Sequence, residues 1–193
     1  MPYVAGSDAA FIKLGPGRLY AAAVGTAEPT DLTTALTAAW TAGYLGFTDE
    51  GHTFTFTPTY EGVPVAELLE DVVNIATGRE MTLEMALAEV TAANVQRALN
   101  GATITSSGTG ATAIDSVEPL AFGAPEPRVA ILWEADDKSE RWVWRKCLQT
   151  GAVAIGRKKG AAKATIPLSF KLEPVSSTIK PFKAILKSTA TVV

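Results

Sequence analysis

The chain has 193 residues and a mass of 20.2 kDa, 47% of them apolar and 19% charged, with a formal net charge of −3. That length suits one domain able to bury a core without staples, and the single Cys and single His exclude an internal disulfide or any site needing two His ligands. The apolar fraction argues against disorder, no 18-residue apolar run is present to cross a bilayer, and residues 1–8 lack the basic start and apolar stretch of a cleaved export signal, so export by that route is not expected.

Residues 1–17 combine Gly6, Gly15-Pro16-Gly17 and a short apolar patch at Phe11-Ile12-Lys13-Leu14, which reads as an arm followed by a turn. Residues 19–24 predict a first strand, ended by Gly25-Thr26-Ala27-Glu28-Pro29, after which Thr30 or Asp31 caps a short helix reaching Trp40. Thr53-Phe54-Thr55-Phe56-Thr57 has period two and a β-favouring residue at every position, with one aromatic and one hydroxylated face. Pro58, Gly62 and Pro64 then punctuate the chain. Met81, Leu83, Met85 and Leu87 alternate with Thr82, Glu84, Ala86 and Ala88, which predicts a strand with one buried face.

From Thr91 the period changes. Ala92, Val95, Ala98 and Leu99 fall at helical spacing, and Asn100-Gly101 supplies the stop. Short β-like pieces follow at residues 102–105, 111–117, 128–134, 141–148 and 164–172, with Asp136-Asp137-Lys138-Ser139 as a hairpin tip. Alternation in the fourth piece places Trp142, Trp144 and Lys146 on one face and Cys147 on the other. The whole is a mainly β domain with one helix and no fixed-period repeat.

Motifs for chemistry are weak. Gly108-Thr109-Gly110 is too short for a dinucleotide fingerprint, and Gly156-Arg157-Lys158-Lys159-Gly160 lacks the spacing and ending of a P-loop, so it reads as a basic loop tip. Any Ser-His-Asp or Cys-His centre would depend on His52, a turn residue better read as structural. Glu67, Glu70 and Asp71 read as a solvated acidic loop rather than a catalytic pair, and Cys147 as a small buried hydrophobe. Nucleophile, base and oxyanion group do not occur together, so the expectation is a protein without catalysis, cofactor or metal.

The charge is unevenly placed. Residues 1–137 hold 5 basic and 18 acidic residues, a balance of −13, whereas residues 138–193 hold 12 basic and 2 acidic ones, a balance of +10. Three readings are open: a nucleic-acid patch, complementary surfaces on neighbouring copies, or simple mixing within the folded monomer. An acidic total disfavours the first.

The ordered set of features resembles the major tail protein, or tail tube protein, of long non-contractile-tailed bacteriophages, in the form common among phages of actinobacteria. The resemblance runs from Leu19-Tyr20-Ala21-Ala22, Gly25-Thr26 and Pro29 through Trp40, Gly43 and Leu45-Gly46 to Gly51 and the alternating strand. It is strongest at Thr77-Gly78-Arg79-Glu80 leading into Ala86-Leu87-Ala88-Glu89-Val90-Thr91, Asn94-Val95 and Ala98-Leu99. It implies a tail-tube-like β-sandwich or barrel with a flanking α-helix and extended arm and loops, over residues 1–193 as one domain. Within it, residues 1–17 are an N-terminal arm, 61–79 a long loop between rings or subunits, and 174–193 a C-terminal extension. Six copies would form a ring, and rings would stack into the virion tube through which double-stranded DNA passes without specific binding.

The tape measure and tail terminator proteins are then the expected partners, with synthesis in the host bacterial cytoplasm and no membrane role. Under this resemblance Thr53, Thr55, Thr57, Thr82 and Glu84 would face the channel. Glu67, Glu70, Asp71, Arg157, Lys158 and Lys159 would make subunit or ring contacts. The alternatives are another ring-forming tail component, namely a tail terminator or the tube protein of a contractile or secretion apparatus, and a β-barrel enclosing a small ligand.

Overall fold

The computed structural model describes residues 15–64, 72–157, 159 and 163–187. In chain order its elements are β1 (Gly17–Ala23), a single-turn helix α1 (Ala38–Thr41), β2 (Thr48–Val63), β3 (Val73–Leu87) and α2 (Ala92–Ala98). These are followed by β4 (Thr103–Ser107), β5 (Ile114–Glu118), β6 (Val129–Ala135), β7 (Glu140–Gln149), β8 (Ile166–Leu172) and β9 (Phe182–Leu186). Seven strands form one antiparallel sheet in the order β1-β6-β7-β8-β3-β2, with β9 also on β7, while β4 and β5 pair separately.

The sheet becomes a sandwich because β7 changes partner along its length. Residues 140–144 pair with β9 and residues 147–149 with β8. At the crossover the Arg145 amide donates to Pro181 O, and Lys146 O accepts from the Glu173 amide. On the other edge the register slips, with Ile131 opposite Trp144 but Val129 opposite Cys147. Three residues of β7 therefore span two of β6, a bulge that bends the strand. The β8-β3-β2 half folds over the β1-β6-β7-β9 half, so Phe54 of β2 lies within 5.1–6.0 Å of the rings of Phe182, Trp142 and Trp144. The bulge also corrects the alternation reading: Cys147 is turned to the same buried face as Trp144.

Between the halves lies the main core, with Leu83, Leu87, Ile131, Trp144, Cys147 and Ile166 fully buried. The period-two residues of β3 all point into it, as alternation predicts. A second cluster, Tyr20, Trp40, Ala130, Leu132 and Val143, occupies the opposite face of β1-β6-β7, where the excursion between β1 and β2 covers it. The helix expected to reach Trp40 is only α1. Asp31 instead accepts from the amides of Thr33 and Thr34 at 2.8 and 2.6 Å, closing a turn ahead of it.

The same excursion blunts the β1 edge. Ala21 N donates to Gly43 O and Leu45 N to Leu19 O, at 2.8 and 2.9 Å. The contact requires glycine, since a Cβ on residue 43 would lie 1.7 Å from Ala21 O. The helix α2 forms where the sequence places it, with the Thr91 hydroxyl accepting from Asn94 N at 3.2 Å as its N-cap. Buried Asn94 then donates to Leu45 O and Glu89 O, both at 3.0 Å, tying α2 to the start of β2.

Three other expectations change. Residues 61–63 and 73–79 are strand rather than loop, because Glu61, Gly62 and Val63 pair with Ile75, Asn74 and Val73. Within residues 174–193, residues 182–186 form β9. The 111–117 piece starts as a 3-10 turn at Gly110–Thr112 before β5.

Candidate assembly surfaces

The ladder sets the hydroxyl-bearing residues of β2 and β3 on one side. Thr53 is opposite Glu84, Thr55 opposite Thr82 and Thr57 opposite Glu80, and cross-strand partners point to the same face. Strand β8 extends this face, with Ser169 opposite Glu84 and Lys171 opposite Thr82. Thr53, Thr55, Thr57 and Glu84 are exposed and Thr82 half-buried. The five residues read from sequence thus share one polar surface. Ser169, Lys171 and Glu80 complete it, with Lys171 Nζ 2.9 Å from a Glu80 carboxylate oxygen. Sequence reasoning left these three out, although the alternation Ile166, Leu168, Phe170, Leu172 in β8 carried the signal.

The pairing of β8 with β3 ends at Thr82. Beyond it, residues 73–81 pair only with 56–63, so the far half of the β2–β3 hairpin projects as a two-stranded ribbon. No strand among the described residues lies on the other edge of β2. Along the ribbon Phe56, Tyr60, Val72, Val73 and Ile75 are 45–60% exposed. An isolated ribbon is marginal in water, and an unpaired edge carrying apolar side chains is a template for pairing. Nothing in its own chain covers it among the described residues.

Electrostatics favour mixing within the chain. Of nine ion pairs among the described residues, six join an acid of residues 1–137 to a base of residues 138–193: Glu134 with Lys138 and Arg141, Asp31 with Arg141, Glu28 with Arg145, Asp49 with Lys163 and Glu80 with Lys171. Arg141, 1% exposed, donates from Nε to Glu134 Oε1 at 2.7 Å and from its two terminal nitrogens to Asp31 O and Thr34 O at 2.7 and 2.8 Å. Lys183 donates to Pro29 O at 3.1 Å. The basic half of the sequence clamps the acidic excursion between β1 and β2.

His52 and Cys147, both weighed for chemistry, sit at the margin of the core and within it. His52 lies against the rings of Trp133 and Trp144, at 5.0 and 5.4 Å, and burial holds its basicity below the ordinary value against the weaker pull of Glu140. Burial pushes the Cys147 thiol up to about 12, leaving it protonated at neutral pH. The space between the sheets is filled by side chains rather than open to a ligand. Arg157 and Lys159 are exposed, whereas Glu67, Glu70, Asp71 and Lys158 lie outside the described residues.

Comparison with known families places the chain. The family model described as phage tail tube protein matches residues 4–180. No curated protein matches the chain. The chain therefore belongs to the phage tail tube protein family.

Proposed function

We propose that this phage tail tube protein assembles as six-membered rings that stack into the tail tube of a long non-contractile-tailed phage, the conduit for its genome. Membership makes it a structural protein of the virion tail that self-assembles into a tube. The observation that supports the finer reading is the projecting ribbon, whose free β2 edge and apolar side chains lack a partner among the described residues. A second copy supplies one, and continuing the sheet around a ring removes the exposed edge.

In this reading the face carrying Thr53, Thr55, Thr57, Thr82 and Glu84 lines the channel. Its side chains are hydroxyls with a balance of one acid once Glu80 is set against Lys171, so duplex phosphates gain no counterion-releasing contacts along it. Low affinity is what passage of DNA requires. The exposed loop at Arg157 and Lys159 contacts a neighbouring ring, together with Glu67, Glu70, Asp71 and Lys158. The tube meets the tape measure protein inside and a terminator at its end, is made in the host cytoplasm, and carries out no catalysis.

The test is to place a charge on the ribbon. Val73→Asp and Ile75→Asp alter half-exposed side chains, so each variant keeps the thermal midpoint of the wild type within a few degrees. Sedimentation velocity should then find monomers at concentrations where the wild-type chain forms rings or tubes. Variants that assemble as the wild type does would overturn the role given to the ribbon.

A further inference from the structure

The connection between β5 and β6 is a braced platform for one side chain. Pro119, Pro125 and Pro127 restrict its backbone, and its base packs just past the end of α2, where a Cβ on Gly101 would lie 2.5 Å from Pro127 and 3.4 Å from Leu120. Arg128 fastens the returning strand by donating to Glu126 O at 2.7 Å. At the tip Ala124 N donates to Ala121 O at 3.0 Å, and Gly123 has φ +85°. Such a turn needs glycine at its third position and holds Phe122 at its second. Phe122 is fully exposed, whereas the next most exposed large apolar side chain among the described residues, Phe47, is 72% exposed. A lone exposed apolar residue is ordinary, but one on a braced turn has already lost the freedom that binding would otherwise remove.

A pocket of about 340 Å³ opens on the face of β6 and β7 turned away from the main core. Trp40, Ala130 and Val143 form its buried wall, and half-buried Val175 and exposed Ile179 its outer wall. The polar side chains of the lining are all engaged. Trp40 Nε1 donates to Ala27 O at 2.8 Å and the Thr26 hydroxyl to Ala23 O at 2.7 Å. Arg145 donates to both carboxylate oxygens of Glu28 and, at 2.6 Å, to Lys180 O. An apolar occupant therefore leaves none of these groups without its partner, and the chemistry of the pocket suits one aromatic or aliphatic side chain.

Phe122 forms no part of the pocket in its own chain. Members of the tail tube family self-assemble, and each contact in a head-to-tail ring or in a stack of rings joins two unlike surfaces of neighbouring copies. A rigidly presented aromatic ring and an apolar pocket of matching size are such a pair. We propose that Phe122 of one copy seats in the pocket of a neighbouring copy, between Trp40, Val143 and Ile179. The occupant is a second copy of this chain. The inference rests on assembly into a tube, and neither on six-membered rings nor on the ribbon.

Photocross-linking from position 122 tests this. Chains carrying p-benzoylphenylalanine in place of Phe122, isotopically light and heavy in equal parts, are assembled together, irradiated and mapped by mass spectrometry. Mixed light–heavy adducts should join position 122 to residues 175–179 or 25–28. The adduct is read whatever the number of subunits in a ring, so failure of the six-membered reading would leave it in place. Phe122→Ser and Ile179→Glu both alter exposed side chains and should keep the thermal midpoint within a few degrees of the wild type. Each should raise the concentration needed for assembly about tenfold, and the double variant should raise it no further than either alone, because one contact is lost in all three. Adducts confined to single chains, adducts at other residues, or variants that assemble as readily as the wild type would overturn the proposal.

Discussion

Arg141 and Glu134 show how much a single buried pair can carry. Both side chains are withdrawn from water, and the guanidinium also satisfies two backbone carbonyls of the excursion between β1 and β2. Removing Arg141 leaves the buried Glu134 with Lys138 as its remaining ion-pair partner and frees the excursion, so Arg141→Met should cost about 3 to 5 kcal/mol in denaturant unfolding. Lys171→Ala, which breaks a pair between two half-exposed groups, should cost under about 1 kcal/mol. Similar losses for the two variants would show that Arg141 is not acting as a clamp.

His52 gives the fold a pH limb at the same scale. Its folded form favours the neutral ring because burial among Trp133, Trp144 and β3 penalises the charge. The unfolded chain therefore binds more protons as pH falls below about 6.5, and stability present above that value is lost toward acid. The groups facing the ring from neighbouring elements are Glu140 on β7 and the indoles of Trp133 and Trp144, while Asp49, a few residues before it on its own strand, is paired with Lys163. His52→Phe keeps an aromatic ring without a titrating proton, so its thermal midpoint should fall less between pH 7 and pH 5 than that of the wild type. Parallel curves would remove His52 as the cause.

Among the elements, α2 depends on one polar side chain. Asn94 is 3% exposed and holds two backbone carbonyls, so Asn94→Ala leaves both without that donor inside the protein. The expected loss is about 2 to 3 kcal/mol in chemical unfolding, with α2 the first segment to exchange its amides. A neutral substitution would mean that water replaces the side chain.

The elements also show what sequence could and could not disclose. β3 was legible from Met81 to Leu87 because one face is buried and the period is two. Its outer half was not, since Thr77, Gly78 and Arg79 answer to a partner strand rather than to a core, and exposed ribbon has no hydrophobic alternation to read. Pro58 argued for a break, yet it sits opposite Arg79 inside β2. An edge strand tolerates proline where no neighbour needs its amide. The slip that turns Cys147 inward arises where β7 exchanges β9 for β8, a tertiary event without a local signature. Of the polar face, Thr53, Thr55 and Thr57 on β2 and Thr82 and Glu84 on β3 were legible, whereas Glu80, Ser169 and Lys171 needed the ladder to bring them alongside.

For the whole molecule, the sequence asymmetry of −13 and +10 dissolves into pairs that hold the monomer together. Six ion pairs cross from the acidic part to the basic part, which leaves the ribbon, more than net charge, as the surface in need of a partner. Family membership makes the chain a self-assembling tube subunit, and in the reading proposed above further copies supply that partner. The central claim is that these copies close into six-membered rings whose wall is the β2-β3-β8 face. Electron microscopy of the purified chain at high concentration tests it most directly. The account requires stacked rings of six subunits around an open channel, with Thr53, Thr55, Thr57 and Glu84 on the channel wall. A tube with that face turned outward, or a chain that stays monomeric at every concentration, would contradict it.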